Sequence, residues 1–187
     1  MVLAPSSYKV LHKGSPAPEF RLKGIDGKEH SLAEFKGKKA LLVIFMCNHC
    51  PYVQPKMPYF AELQRRYGPL GLQVVGINSN DARKYPEDGP EKMAQYAARF
   101  GFGFPYLVDE AQEAARAYGA ECTPDPFLFD SSLALAYHGR FDDAHGRPHS
   151  DGKTAEMEEA IKQVLSGAAV TVETLPSMGC SIKWKGR

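Results

Sequence analysis

The chain has 187 residues, 43% of them hydrophobic and 24% charged, with a net charge of +1. That length suits one domain burying about 70% of its unfolded surface without a disulfide framework. The near-zero charge offers no pull on nucleic acid or an anionic membrane, no run of 18 apolar residues suits a membrane span, and the first twenty residues lack the apolar core and small-residue cleavage site of a secretory leader.

A single domain over residues 1–187 is therefore expected in the cytosol, with an extended N-terminal segment at 1–13 and a C-terminal tail at 168–187. Residues 1–18, rich in Pro and Ser, read as chain lying extended over the surface. Phe20-Arg21-Leu22 and Glu29-His30-Ser31-Leu32 alternate on either side of Asp26-Gly27, a hairpin-turn signal. Ser31, with Glu34 three residues on, forms a capping box for a short turn through Phe35. Residues 40–46, Ala-Leu-Leu-Val-Ile-Phe-Met, are a continuous apolar run suited to a strand buried on both faces.

Past Cys47-Asn48-His49-Cys50, one helical face carries Val53, Met57, Phe60, Ala61 and Tyr67, and Gly68-Pro69 ends it. Residues 72–77 read as a second core strand, so the strand–helix–strand order predicts a right-handed crossover and a parallel pair. A loop from Asn78 leads into a helix over 90–100, with Pro90 in its first turn. A short strand at 104–108, a small helix at 110–118 and a hairpin made by 127–129 and 133–137 follow. Residues 142–152 read as loop, and Thr154 as the cap of a last helix striped by Met157, Ala160, Ile161, Val164 and Leu165. Glu156, Glu158 and Glu159 read as that helix's solvated face, and His138, His145 and His149 as surface residues. The tail shows no period. The sum is an α/β fold with a mixed central sheet flanked by helices.

Four cysteines are present: Cys47, Cys50, Cys122 and Cys180. In a reducing compartment they read as reduced, catalytic or metal-binding rather than as structural staples. C-x-x-C between a buried strand and a helix has a specific chemical meaning. Unsatisfied N–H groups at a helix start favour negative charge and lower a thiol pKa from about 8.5. Two intervening residues let the second sulfur reach the first and resolve a mixed disulfide. Cys47 is accordingly expected as nucleophile and Cys50 as resolving thiol, with Asn48, His49 and Pro51 tuning the pair. A zinc site would need four ligands, and His145 and His149 are separated by Gly and Pro, so no metal is expected. Cys122 and Cys180 stand as candidates for a second redox pair or relay.

Gly14-x-x-Ala17-Pro18-x-Phe20, the strand leading into Cys47-x-x-Cys50, Pro55, and Pro124-Asp125-Pro126-Phe127-Leu128-Phe129-Asp130 occur together in one order. In this the chain resembles the thioredoxin superfamily, closest to its peroxiredoxin-like and TlpA-type branch (the AhpC/TSA-like redoxins), over most of residues 14–166. The resemblance implies a thioredoxin fold with an N-terminal β-hairpin extension and a kinked active-site helix. It also implies a cis bond between Thr123 and Pro124 beside Cys47, both residues serving substrate binding, and no bound cofactor.

There are departures. The family's buried acids fall on Leu41 and Val53, and its usual Trp on Met46, so proton transfer would pass to water, His49 or another base. Histidine before the second cysteine resembles the oxidising members, which implies a potential less negative than thioredoxin's, about −270 mV. The peroxiredoxin pattern would place its peroxide-attacking thiol at Cys50, but Val43 and Cys47 hold that pattern's Pro and Ser/Thr positions.

The function expected is thiol–disulfide exchange, with thiol- or disulfide-bearing proteins or small molecules as substrates and another thiol system as electron donor. The alternatives are a peroxiredoxin-like thiol peroxidase and a redox-sensing or metal-binding interaction module.

Overall fold

The apolar run from Ala40 to Met46 cannot face water on either side, and the elements are arranged to cover both. In the computed structural model, which describes residues 2–186, the strands are β1 (Leu3–Pro5), β2 (Arg21–Gly24), β3 (Glu29–Ser31), β4 (Ala40–Phe45), β5 (Leu72–Asn78), β6 (Tyr106–Val108), β7 (Cys122–Thr123), β8 (Asp125–Asp130), β9 (Leu135–His138) and β10 (Met178–Ser181). The helices are α1 (Met57–Tyr67), α2 (Pro90–Phe100), α3 (Glu113–Tyr118) and α4 (Glu156–Leu165). Met1 and Arg187, which the expected 1–187 domain takes in, lie outside the described residues. Among those residues no helix is long and apolar enough to cross a membrane.

Seven strands form one mixed sheet in the order β3-β2-β6-β5-β4-β8-β9. β4 lies parallel to β5 and antiparallel to β8. Because strand side chains alternate between faces, β4 feeds two cores. Leu42 and Ile44 pack with Phe60 and Leu63 of α1 and Met157 and Ile161 of α4. Leu41, Val43 and Phe45 pack with Tyr118 of α3, Phe127, Phe129 and the Leu32–Phe35 turn. Every residue of β4 is fully buried, and each large apolar side chain so placed contributes about 1.5–3 kcal/mol. The N-terminal hairpin, β2 with β3, turns at Gly27 with φ +78°. The capping box is present, with the Ser31 N–H donating to Glu34 Oε1 at 2.8 Å.

Two segments differ from the sequence expectation. The first residues and the tail are not loose chain: β1, β10 and β7 make a second, three-stranded antiparallel sheet. Cys180 and Ile182 are buried. The tail is held beyond its strand as well, since the Lys183 N–H donates to Asn80 Oδ1 at 2.8 Å and its carbonyl accepts the Asp81 N–H at 3.0 Å. Regular α-helix begins at Met57, not directly after the cysteine motif, and residues 54–56 form a 3-10 turn. Pro58 therefore sits in the first turn of α1, where a missing N–H costs nothing, rather than kinking a helix interior.

Several polar residues are also placed differently from the sequence reading. Thr154 does not cap α4. Ala155 holds that position, and the Thr154 hydroxyl donates to Glu156 Oε2 at 2.7 Å. Glu158 is buried and accepts hydrogen bonds from Tyr59 and Tyr67 at 3.3 and 2.6 Å. His138 is buried against Asp125 Oδ1 at 2.8 Å, and the Ser6 hydroxyl donates to the same oxygen at 2.7 Å. His149 is half-buried, bonded to Asp142 at 2.7 Å and stacked on Tyr59 with ring centroids 3.6 Å apart. Glu158 and His138 are held by partners outside their own elements, as burial of polar atoms favours, although His138 Nδ1 has no partner among the described residues.

Asp142 also pairs with Lys56, and both are all but inaccessible to water. This pair ties the 142–152 loop to the start of α1. Asp142→Ala strands a buried ammonium, so it should cost about 3–5 kcal/mol, read as a loss of denaturant midpoint at constant slope. A loss under about 1 kcal/mol would show that Lys56 escapes to water.

Candidate active site

Cys47 and Cys50 sit where β4 runs out into the turns that precede α1. Both are wholly buried, and no disulfide joins any of the four cysteines. The Cys47 and Cys50 thiols are close enough for each to shift the other's acidity. Pro51 follows with no N–H of its own, and the Cys50 carbonyl accepts the Val53 and Gln54 N–H groups, each at 3.0 Å.

Thr123 reaches both sulfurs. Its Oγ1 lies 3.4 Å from the Cys47 sulfur, and its carbonyl accepts the Cys50 S–H at 3.1 Å. The Thr123–Pro124 bond is cis. Pro124 takes part through its carbonyl, which accepts the Ser177 hydroxyl at 2.7 Å.

Asn48 and His49 are held by a residue the sequence reading did not single out. Asp88 Oδ1 accepts the Asn48 N–H at 2.8 Å, while Oδ2 accepts His49 Nδ1 at 2.6 Å and Asn80 Nδ2 at 2.8 Å. The Asn48 side chain donates to the Glu87 carbonyl at 2.7 Å and accepts from the Tyr106 hydroxyl at 3.1 Å. His49 stacks on Tyr85 with centroids 5.1 Å apart, and its buried Nε2 has no hydrogen-bond partner among the described residues. A carboxylate is thus present at the motif, but it arrives from the turn before α2 rather than from the positions of Leu41 or Val53. No spacing in the sequence links Asp88 to Cys47.

The two thiols are driven apart in acidity. Burial pushes Cys47 well up, and the Cys50 sulfur and the Asp88 carboxylate push it the same way. The hydrogen bond from Cys47 pulls Cys50 down to about 5 against burial, helped by Thr123, by the Cys180 thiol and by the Cys180 backbone N–H. Two sulfurs that share a proton lose the first easily and hold the second tightly. The two sulfurs thus titrate as one pair, with the Thr123 hydroxyl beside Cys47 and the Thr123 carbonyl accepting from Cys50.

Cys180 lies on β10 directly opposite Thr123 in the strand register. Cys122 is buried too, and its thiol approaches the Pro124 and Ser177 carbonyls at 3.7 and 3.9 Å. Cys47, His49 and Asp88 each offer a ligand atom within 4.8 Å of one another. An ion there would cost the His49–Asp88 bond or Asp88's hold on Asn48, and structural zinc asks for four ligands.

The family model described as Redoxin matches residues 12–155. Over 119 residues the chain is 34% identical to thiol-disulfide oxidoreductase ResA of Geobacillus thermodenitrificans, a stretch covering 64% of each protein. The chain therefore spans just under two thirds of that relative. The solved structure of an uncharacterized conserved protein from Geobacillus kaustophilus is 40% identical, with a TM-score of 0.92 covering 100% of this chain and 98% of that one. A putative thiol:disulfide interchange protein DsbE from Chlorobium tepidum shares the fold, at 24% identity and a TM-score of 0.67 over 83% of this chain and 99% of that one.

With Cys47→Ala, Cys50 loses its largest stabilising donor and burial is left to dominate. Its ionisation, followed as thiolate absorbance against a Cys47→Ala, Cys50→Ala control, should move from about 5 up to or beyond the ordinary thiol range. An unmoved midpoint would show that Cys47 is not the donor.

Proposed function

The chain belongs to the redoxin family, and from that premise we propose that it is a thiol–disulfide oxidoreductase working through the Cys47/Cys50 dithiol. The observation that carries this reading is the buried C-x-x-C pair whose two sulfurs are both met by Thr123, at 3.4 and 3.1 Å. Likeness to a thiol-disulfide oxidoreductase of the ResA type supports it.

A thiolate attacks one sulfur of a substrate disulfide, and the substrate's other sulfur leaves as a thiolate. The neighbouring thiol then attacks the mixed disulfide, closing the Cys47–Cys50 bond and releasing the second substrate thiol. The sequence reading gives the first attack to Cys47. The geometry supports that order: the Cys50 S–H donates to the Thr123 carbonyl, while the Thr123 hydroxyl lies beside the Cys47 sulfur and can donate to a thiolate there, so we assign the attack to Cys47 and the release to Cys50. Thr123 orients both sulfurs, and Asp88 fixes Asn48 and His49 beside them. The substrates are disulfide-bearing proteins or small molecules, and a separate thiol system restores the dithiol.

A pair that gives up its first proton easily stabilises the reduced form, so the disulfide is expected to be more oxidising than thioredoxin's at about −270 mV. Equilibration with glutathione buffers measures this, and a more negative midpoint would contradict it.

With Cys122 and Cys180 replaced by serine, only the pair remains. In that background Cys50→Ser should accumulate a mixed disulfide on Cys47, while Cys47→Ser should trap nothing and lose at least about 100-fold in turnover. The opposite pattern moves the attack to Cys50. No mixed disulfide in either variant, or single-turnover oxidation by hydrogen peroxide faster than by a protein disulfide, removes the exchange reading.

A further inference from the structure

Cys122 and Cys180 are candidates for a second redox pair or relay, but the register of β10 on β7 keeps them from facing each other. Cys180 is opposite Thr123, and Ser181 is opposite Cys122. Cross-strand partners share a face and successive residues alternate. Cys180 therefore projects with Thr123 toward the sulfur pair, and Cys122 projects away from it. Thr123 Oγ1 also approaches the Cys180 carbonyl at 3.5 Å. Cys180 is packed in the same buried cluster as Cys47 and Cys50, and it helps lower the pKa of the Cys50 thiol. Cys50 thus has a thiol on either side: Cys47, three residues back in the chain, and Cys180, delivered by the last strand.

We propose that Cys180 is a third redox thiol of this site, which exchanges into the Cys47–Cys50 bond to give a Cys50–Cys180 disulfide. The inference rests on the dithiol reading above. In the step, the Cys180 sulfur attacks the Cys50 sulfur. The Cys50–Cys180 bond forms, the Cys47–Cys50 bond breaks, and its electron pair leaves on Cys47. The proton given up by Cys180 ends on Cys47. One disulfide replaces another, so no outside oxidant or reductant is consumed. Burial and the Cys50 sulfur hold the Cys180 thiol up at about 12 in the reduced protein. Once Cys50 is in a disulfide its charge is gone, and that part of the restraint goes with it.

The close approach of β10 makes the delivery specific. A methyl group on Gly179 would stand 1.9 Å from the Thr123 carbonyl oxygen, a backbone atom that cannot step aside. Gly179→Ala must therefore shift β10 off β7 while leaving Cys47 and Cys50 in place on their own segment.

The experiment oxidises the full-length protein with diamide, blocks remaining thiols with N-ethylmaleimide and maps disulfide-linked peptides without reduction. Wild type should contain both disulfides within about tenfold of each other, with Cys47 maleimide-labelled whenever Cys50 is joined to Cys180. Cys47→Ser should give only Cys50–Cys180, and Cys180→Ser only Cys47–Cys50. Gly179→Ala should keep Cys47–Cys50 and lose at least about tenfold in the Cys50–Cys180 species. If Cys50–Cys180 is missing from both wild type and Cys47→Ser, or a Cys122–Cys180 bond takes its place, or its yield is unmoved by Gly179→Ala, the proposal fails and the dithiol reading stands. If Cys47–Cys50 fails to form in Cys180→Ser, it is the dithiol reading that fails.

Discussion

The carbonyl and hydroxyl of Thr123 point at different sulfurs, and the rest of the site is built to keep them there. The carbonyl meets Cys50 at 3.1 Å and the hydroxyl meets Cys47 at 3.4 Å. β7 is held alongside β10, with Thr123 directly opposite Cys180. Weak thiol hydrogen bonds gain weight where water is excluded, and no residue of the sulfur pair is exposed. A two-residue strand with no length of its own to stabilise it thereby becomes the reference point for three cysteines.

Three Asp–His pairs surround this centre, each with a buried aspartate. Asp88 holds His49, Asp125 holds His138, and Asp142 holds His149. Each binds an irregular segment to the frame: the motif loop to the turn before α2, the N-terminal Ser6 stretch to β8 and β9, and the 142–152 loop to α1. Buried carboxylates are costly unless fully bonded. Asp88 satisfies this with backbone N–H groups and two side chains, and Asp142 with a lysine, a histidine and the Ala144 N–H. The loops are thus fixed by electrostatics, and the strands by burial.

What the sequence made legible follows the same division. The β4 run, the α1 and α4 stripes and the Asp26-Gly27 hairpin are local patterns, and each occurs in the structure. The cysteine pair was visible for the same reason, since its chemistry depends on two residues three apart. Asp88 was not visible, because a lone acid before Gly89-Pro90 carries no sign of what it will touch. His138 and Glu158 read as solvated because their partners lie 13 residues away at Asp125 and 91 at Tyr67. The strand β10 is Met-Gly-Cys-Ser, a stretch with little β-propensity. It becomes a strand only because β1 and β7 offer it an edge on each side.

That last strand also bears on how fast the protein can work. Both reactive sulfurs are fully buried and Thr123 of the terminal sheet lies against each, so a bulky partner meets them only once part of that cover opens. Productive encounters are then rationed by a first-order event within the protein, so raising the partner's concentration brings the rate to a plateau. A reagent small enough to slip past the strand escapes that ceiling, which makes the terminal sheet a filter by size as well as a cover.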